Sequence, residues 1–410
     1  MVTRTVALVG TFDTKGEEYL FIRKLFHDVG VQTLTIHTGV FPPYFEPDVS
    51  NQEVALAAGV TIESLMAKKD RAYATEILAK GMRQLIPRLY AEGKFAGIIS
   101  FGGSGGTSLV ASAMQALPIG VPKLMVSTMA AGDISPYVGT SDIMMMPSIV
   151  DVSGLNSIST QIFTNAVFAM AGMLHFERPE RVVDKRPLIA ATMFGVTTPA
   201  VTTAREYLEA RGYEVLVFHA TGSGGKTMEA LISAGFIDGV LDLTTTEWAD
   251  EIVGGVLNAG PHRLEAAALS GVPQVVSVGA LDMVNFGPFE TVPKKFDQRL
   301  LYKHNPTVTL MRTTRAENQQ LGEIIAEKLN KSIGDTQLIL PLKGLSGIDV
   351  AGELFYGPEE DNCLFDALRT HVNSDKVTLI EREEAINEPT FAEFAAQQLI
   401  DLIEHQERRN

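Results

Sequence analysis

The stretch SFGGSGGTSLVASAM, from Ser100 to Met114, places four glycines and a serine between an apolar run and an amphipathic one. Glycine weakens helices and strands, so a loop is expected over Gly102, Gly103, Ser104, Gly105, Gly106 and Thr107. FAGIIS before it has the character of a short buried strand, and Ser108 to Leu117 that of a helix. A glycine-rich turn between strand and helix presents backbone N–H groups beside the positive end of the helix dipole, chemistry suited to a phosphate. The alternative is that the glycines let the helix pack closely on its strand.

Two other polar stretches invite the same question. GTFDTKGEE, from Gly10 to Glu18, ends a first strand with Thr11, Asp13, Thr14 and Lys15. The hydroxyls and the ammonium suit phosphate, and Asp13 suits a ribose hydroxyl or a magnesium-bound water. Helix capping by Asp13 or Thr14 is the competing reading. HATGSGGKTMEA, from His219 to Ala230, comes within one residue of a phosphate-binding P-loop, with Ala220 where glycine is required. It follows a second strand rather than a first, so a P-loop NTPase is not expected. An anion or substrate loop over Thr221, Gly222, Ser223, Gly224, Gly225, Lys226 and Thr227 is.

Later polar clusters supply acid, base and anion-clamp types. In AGPHRLEAAALSG, Pro261 is expected to open a helix with His262, Arg263 and Glu265 in its first turns. VSVGALDMVNFG offers Asp282 and Asn285 after a strand, and HNPTVTLMRTTRAEN offers His304 and Arg312 at loop ends. As a set they suit a reaction on a small acidic metabolite; singly, each fits a loop hydrogen bond or a solvated charge. No HExxH, EF-hand or CxxC pattern occurs, so no metal site is assigned and any magnesium is expected to arrive with phosphate. A correctly spaced GxGxxG is also missing.

The elements that must position these residues alternate strand and helix throughout, as expected for parallel sheets covered by helices. The chain also echoes itself. VALVGTFDTKGEEYLFIRKLFHDVGVQTLTIHTG matches LIAATMFGVTTPAVTTAREYLEARGYEVLVFHATG in pattern, FAGIISF matches FIDGVLDL, and GVPKLMVST matches GVPQVVSVG. The expected fold class is therefore α/β, two Rossmann-like parallel-sheet subdomains over 1–180 and 187–410, with a charged linker over 177–186 and a ligand cleft between them. TQLILPLKG, DKVTLIERE and a helix from Thr390 to about His405 complete the second, and the methionines of DIMMMPS form a buried strand.

At 410 residues with 45% hydrophobic residues the chain can fill more than one core. A net charge of −15 argues against nucleic acid as a partner. The apolar segment 165–176 is too short to span a bilayer and the N-terminus does not read as a signal peptide, so a cytoplasmic protein without membrane attachment is expected. The single cysteine, Cys363 in an expected helix, forms no internal disulfide.

Taken together, GTFDTKGEE, FGGSGGTS, HATGSGGKTMEAL, AGPHRLEAA, GALDMVNFG and HNPTVTLMRTT resemble, over essentially the whole chain, the bacterial and fungal family related to the N-terminal ATP-binding region of the tomato tobamovirus-resistance protein. The resemblance implies two α/β subdomains, ATP bound to the first, and a homodimer; on it ATP is assigned to Thr11, Asp13, Thr14, Lys15 and the loop Gly102 to Thr107. The plant region inhibits viral RNA replication by binding a viral replication protein, an activity specific to that host and virus and not carried over. The expected function is an ATP-binding enzyme or enzyme component, completed here, by a dimer partner or by a separate protein. The alternative is a nucleotide-gated module that recognises a protein partner.

Overall fold

The computed structural model describes residues 5–176 and 186–409, and the chain divides into two compact units, 1–182 and 183–410. All but the last residue of the expected linker over 177–186 lies outside the described residues.

The first unit contains strands β1 (Thr5–Gly10), β2 (Gln32–His37), β3 (Gly97–Gly102), β4 (Lys123–Ser127) and β5 (Met144–Pro147). Its helices are α1 (Gly16–Asp28), α2 (Asn51–Ala57), α3 (Ile62–Lys68), α4 (Arg71–Ala91), α5 (Ser104–Gln115), α6 (Ser135–Val138) and α7 (Ser157–His175). The strands form one all-parallel sheet in the order β2-β1-β3-β4-β5. The inner strands are short and apolar on both faces because helices cover both: α4 and α5 side chains pack with Ala7, Val9 and Ile98, and α1 and α7 side chains with Val6, Leu8 and Ile99. Ser50 and Glu53 close a capping box at the start of α2. The methionines of β5 do not form the expected buried strand. They lie on the sheet's edge, half-exposed, because no further strand pairs with β5.

In the second unit the strands are β6 (Leu188–Met193), β7 (Glu214–His219), β8 (Gly239–Thr244), β9 (Gln274–Gly279), β10 (Met283–Phe286), β11 (Leu301–Asn305), β12 (Val308–Arg312), β13 (Thr336–Pro341) and β14 (Thr378–Arg382). The helices are α8 (Thr198–Glu209), α9 (Ser223–Ser233), α10 (Glu247–Val253), α11 (Ala266–Ser270), α12 (Arg315–Leu329), α13 (Pro358–His371) and α14 (Pro389–Arg409). Six strands make a parallel sheet ordered β14-β13-β9-β8-β6-β7, and β10, β12 and β11 make a small antiparallel sheet. From the β7 edge, the first five strands repeat the order of the first unit. Each sequence echo falls on equivalent strands: β1 on β6, β2 on β7, β3 on β8 and β4 on β9.

Candidate functional site

In a sheet ordered 2-1-3-4-5 the connections leaving β1 and β3 depart to opposite faces, opening a crevice at their C-terminal ends where ligands bind. In the first unit this is where GTFDTKGEE and FGGSGGTS emerge. The buried Tyr19 of α1 holds the parting strands: its hydroxyl reaches the carbonyls of Val9 (2.8 Å) and Phe101 (2.7 Å) and accepts the Phe101 amide at 3.0 Å. Burial pushes the phenol up to about 12, so it stays protonated.

The glycine-rich loop becomes the first turn of α5, with Gly103 at the N-cap and no side chain capping it. Thr107 is the first residue whose amide finds a carbonyl within the helix, that of Gly103 at 3.0 Å, so the amides of Ser104, Gly105 and Gly106 remain for another acceptor. A Cβ on Gly106 would meet nothing within 4 Å, and one on Gly105 would meet only the guanidinium of Arg71, at 3.7 Å. One on Gly103 would come to 3.7 Å from the Thr128 hydroxyl. Internal packing therefore demands no glycine at these three positions. Arg71, exposed at the start of α4, makes no ion pair among the described residues. Beside these three open amides, the Arg71 guanidinium flanks Gly105, the Thr128 hydroxyl flanks Gly103, and the side of Gly106 is open. Thr107 turns inward, its hydroxyl bonded to Ser127 (2.6 Å) and to the Gly103 carbonyl (2.8 Å), which fixes the loop to the end of β4.

The loop after β1 is built differently. The Thr14 and Lys15 amides both donate to the Thr11 carbonyl, at 3.2 and 3.0 Å, so they are not open donors. The Thr14 and Thr11 hydroxyls bond each other at 2.9 Å. Lys15 reaches the carbonyl of Val152, pinning the segment before α7. Asp13 faces the β2 side, where it accepts the Phe41 amide at 3.1 Å and lies against Gly39. Neither expected competing role, N-cap by Asp13 or by Thr14, occurs: Lys15 occupies the N-cap of α1 with no side-chain bond. Buried His37 fastens these segments, Nδ1 accepting the amides of Phe12 (3.1 Å) and Gly39 (3.3 Å) and Nε2 donating to the Phe41 carbonyl (2.9 Å).

The second glycine loop, expected to take a substrate anion, holds an internal one. Glu247 Oε1 accepts the amides of Gly222 at 2.7 Å and Gly225 at 3.1 Å, while Oε2 accepts Nε of buried Arg263 at 2.7 Å. Cβ atoms on Gly224 and Gly225 would collide with the His219 carbonyl and the Glu247 carboxylate, and Gly222 has φ +84°. Here close packing explains the glycines at 222, 224 and 225, and the loop's Gly222 and Gly225 amides already have an internal carboxylate. Thr221 and Thr227 turn their hydroxyls to local carbonyls, and Ser223 and Lys226 are exposed.

The six candidate catalytic residues separate into distinct places. Arg263 makes a fork to Asp242 (2.5 and 2.8 Å) and also reaches Glu229 (3.2 Å), whose carboxyl burial raises against the pull of Arg263. Arg312, at the end of β12, bonds Asp361 (2.6 Å) and Asp349 (3.3 Å). Asp282, bonded by the Ser346 hydroxyl at 2.9 Å, is buried in the same network. Burial pushes all three aspartates upward against the pull of Arg312, Asp349 further by repulsion from the other two. Asn285 bonds Asp250, through its amide at 2.6 Å and its side chain at 3.1 Å. Burial lifts Asp250 to about 7 against those bonds. His262 is exposed and paired with Glu265 at 2.7 Å, and His304 is exposed on β11. Neither histidine joins a buried cluster. The helix expected to open at Pro261 starts instead at Ala266, after a turn in which Leu264 takes φ +71°.

Reading motifs one loop at a time missed Arg71, Thr128, Tyr19 and Glu247. Arg71 lies thirty-odd residues before the loop it faces, and only the Asp70 cap that starts α4 there gives a local sign. Among the described residues no helix is long and apolar enough to cross a membrane, and no three His, Cys, Asp or Glu side chains form a metal-binding group.

Two parallel-sheet units of one strand order, the first with an open glycine turn at its switch point, define the protein as a two-domain α/β protein of Rossmann-like class. The chain belongs to the Uncharacterised protein family (UPF0261): residues 4–179 match its N-terminal domain and 186–403 its C-terminal domain. It is 54% identical over 404 residues to a UPF0261 protein of Clostridium tetani, covering 98% of this chain and 100% of that one. A Rhizobium meliloti member is 43% identical over 97% of this chain and 99% of its own. The ToMV resistance protein of Solanum lycopersicum is 40% identical over 97% of this chain, which spans 55% of that protein's length.

Proposed function

We propose that the chain is a cytoplasmic ATP-binding protein that holds nucleotide phosphates on the first turn of α5 and serves as an enzyme, or enzyme component, acting on a small acidic metabolite. The observation that carries the reading is the pair of glycines, Gly105 and Gly106, whose missing side chains leave space toward three open amides and Arg71. Ser104, Gly105 and Gly106 would bind phosphate oxygens through their amides, Arg71 through its guanidinium and Thr128 through its hydroxyl. Thr11 and Thr14 stand at the neighbouring strand end. ATP supplies a transferable phosphoryl or adenylyl group; the protein's part is to neutralise and orient it. Magnesium would enter on the phosphates with its own waters; Asp13, whose Oδ2 accepts the Phe41 amide, is not assigned to it. Calorimetric titration with ATP and magnesium tests the reading, with saturable binding expected.

One observation favours the second reading, a nucleotide-gated module for a partner protein: His262 and His304, the two histidines expected to act as acid or base, are exposed and stand apart from the buried acids. ATP turnover that stays negligible with a panel of carboxylic and sugar acids, together with an ATP-dependent change in X-ray scattering, would select it. The homodimer is part of either reading, supported by the exposed apolar residues Ile158 and Phe168 on α7, and light scattering checks it.

A further inference from the structure

Within the second unit a cavity of about 560 Å³ opens between the end of β12, the first turn of α12 and the segment 355–360. In a chain of net charge −15, its walls carry three arginines, Arg299, Arg312 and Arg315, against one acid, Glu360. The carboxylates that balance the two deeper arginines stand behind the wall and do not line it. Glu317 forks Arg299 at 2.9 and 2.6 Å, and Asp361 and Asp349 hold Arg312. Arg315 differs. Its partners are Glu359, outside the lining, and Glu360, and its pair with Glu359 is 60% and 70% exposed, so that pair contributes little and can be exchanged for a ligand. The amides of Arg315 and Ala316 open α12, where they have no acceptor within the helix, while the Thr314 hydroxyl already takes the Glu317 amide. Leu300 and Tyr356, both exposed, supply an apolar side.

We propose that this cavity binds a small organic acid, its carboxylate on the Arg315 fork and the first turn of α12, its apolar or aromatic body against Leu300 and Tyr356. A planar carboxylate matches a guanidinium with two parallel bonds, and the cavity lies within the size range of small-molecule sites. This rests on the reading above for the idea of an acidic substrate, but its location stands on the geometry of the second unit alone.

Phthalate, an aromatic dicarboxylate, is the probe, titrated by calorimetry against the full chain, with dimethyl phthalate and inorganic phosphate as comparators. Saturable binding of phthalate, none of the neutral ester and weaker binding of phosphate are expected. Arg315→Ala should weaken phthalate about tenfold, the scale of one charge-assisted bond. Arg315→Pro should weaken it further, because proline fits the first helical position but also removes that amide. Circular dichroism checks that both variants fold. Phthalate that fails to saturate, phosphate that binds as tightly, or folded variants that bind phthalate like the parent would overturn the assignment. ATP is titrated in parallel. Both variants should keep the parent's ATP affinity, so loss of phthalate binding alone reports this cavity, whereas absence of ATP binding in the parent strikes the nucleotide reading and leaves the phthalate result standing.

Discussion

Glu247 Oε1 accepts the Gly225 amide at 3.1 Å, placing an internal carboxylate on the glycine loop that most resembles a phosphate loop. The loop after β3 has no such occupant, and its glycines look onto open space. The two loops share composition but use it for opposite ends: one lets a helix close over a buried charge, the other leaves donors for something outside the chain.

Glu247 is therefore a stability residue. Glu247→Ala should destabilise the second unit by about 1–3 kcal/mol, the cost of leaving buried donors unsatisfied, because the Nε of Arg263 and two glycine amides lose their acceptor while Arg263 keeps Asp242 and Glu229. Urea unfolding measures it; a change below about 1 kcal/mol would place the Glu247 bonds among those that contribute little.

Tyr19→Phe removes only an oxygen, yet it orphans the Phe101 amide and a strand-end carbonyl at the switch point. A loss of about 1–3 kcal/mol is expected, with weaker ATP binding because the β3 loop loses its anchor. Unchanged stability in thermal unfolding would show that the strand ends hold without it.

The pH dependence has a definite sign at Asp250. Its folded pKa is raised to about 7 by burial, above the unfolded value of about 3.9, so the folded state binds more protons between those two values. Its contribution is thus favourable at low pH and is lost as pH rises from about 4 through 7. Parent and Asp250→Asn, compared by urea unfolding at pH 5 and pH 8, should differ by more in the parent's favour at pH 5. A pH-independent difference would mean that Asp250 is ionised throughout.

The sequence showed much of this architecture because parallel strands buried on both faces announce themselves as short apolar runs, and the echo of FAGIISF in FIDGVLDL lands on β3 and β8. Contacts between distant segments were not legible. Whether a glycine faces space or a neighbour depends on what the fold brings against it, so FGGSGGTS and GSGGKT read alike until Glu247 and Arg71 are in place. The hairpin of β11 and β12 went unread because HNPT looks like an open loop, although Asn305 turns it by accepting the Thr307 amide at 2.9 Å. The histidines misled for a related reason: residue type proposes acid–base chemistry, but only burial and neighbours confer it.

Gly105→Val tests the central claim most directly. Its new Cβ would touch only a flexible guanidinium in the free protein, so folding should survive while the space above the amides is filled. Calorimetry should find ATP affinity lowered by at least about thirtyfold, roughly 2 kcal/mol, with an unchanged unfolding curve. A folded Gly105→Val protein that binds ATP as tightly as the parent would contradict a phosphate site on the first turn of α5.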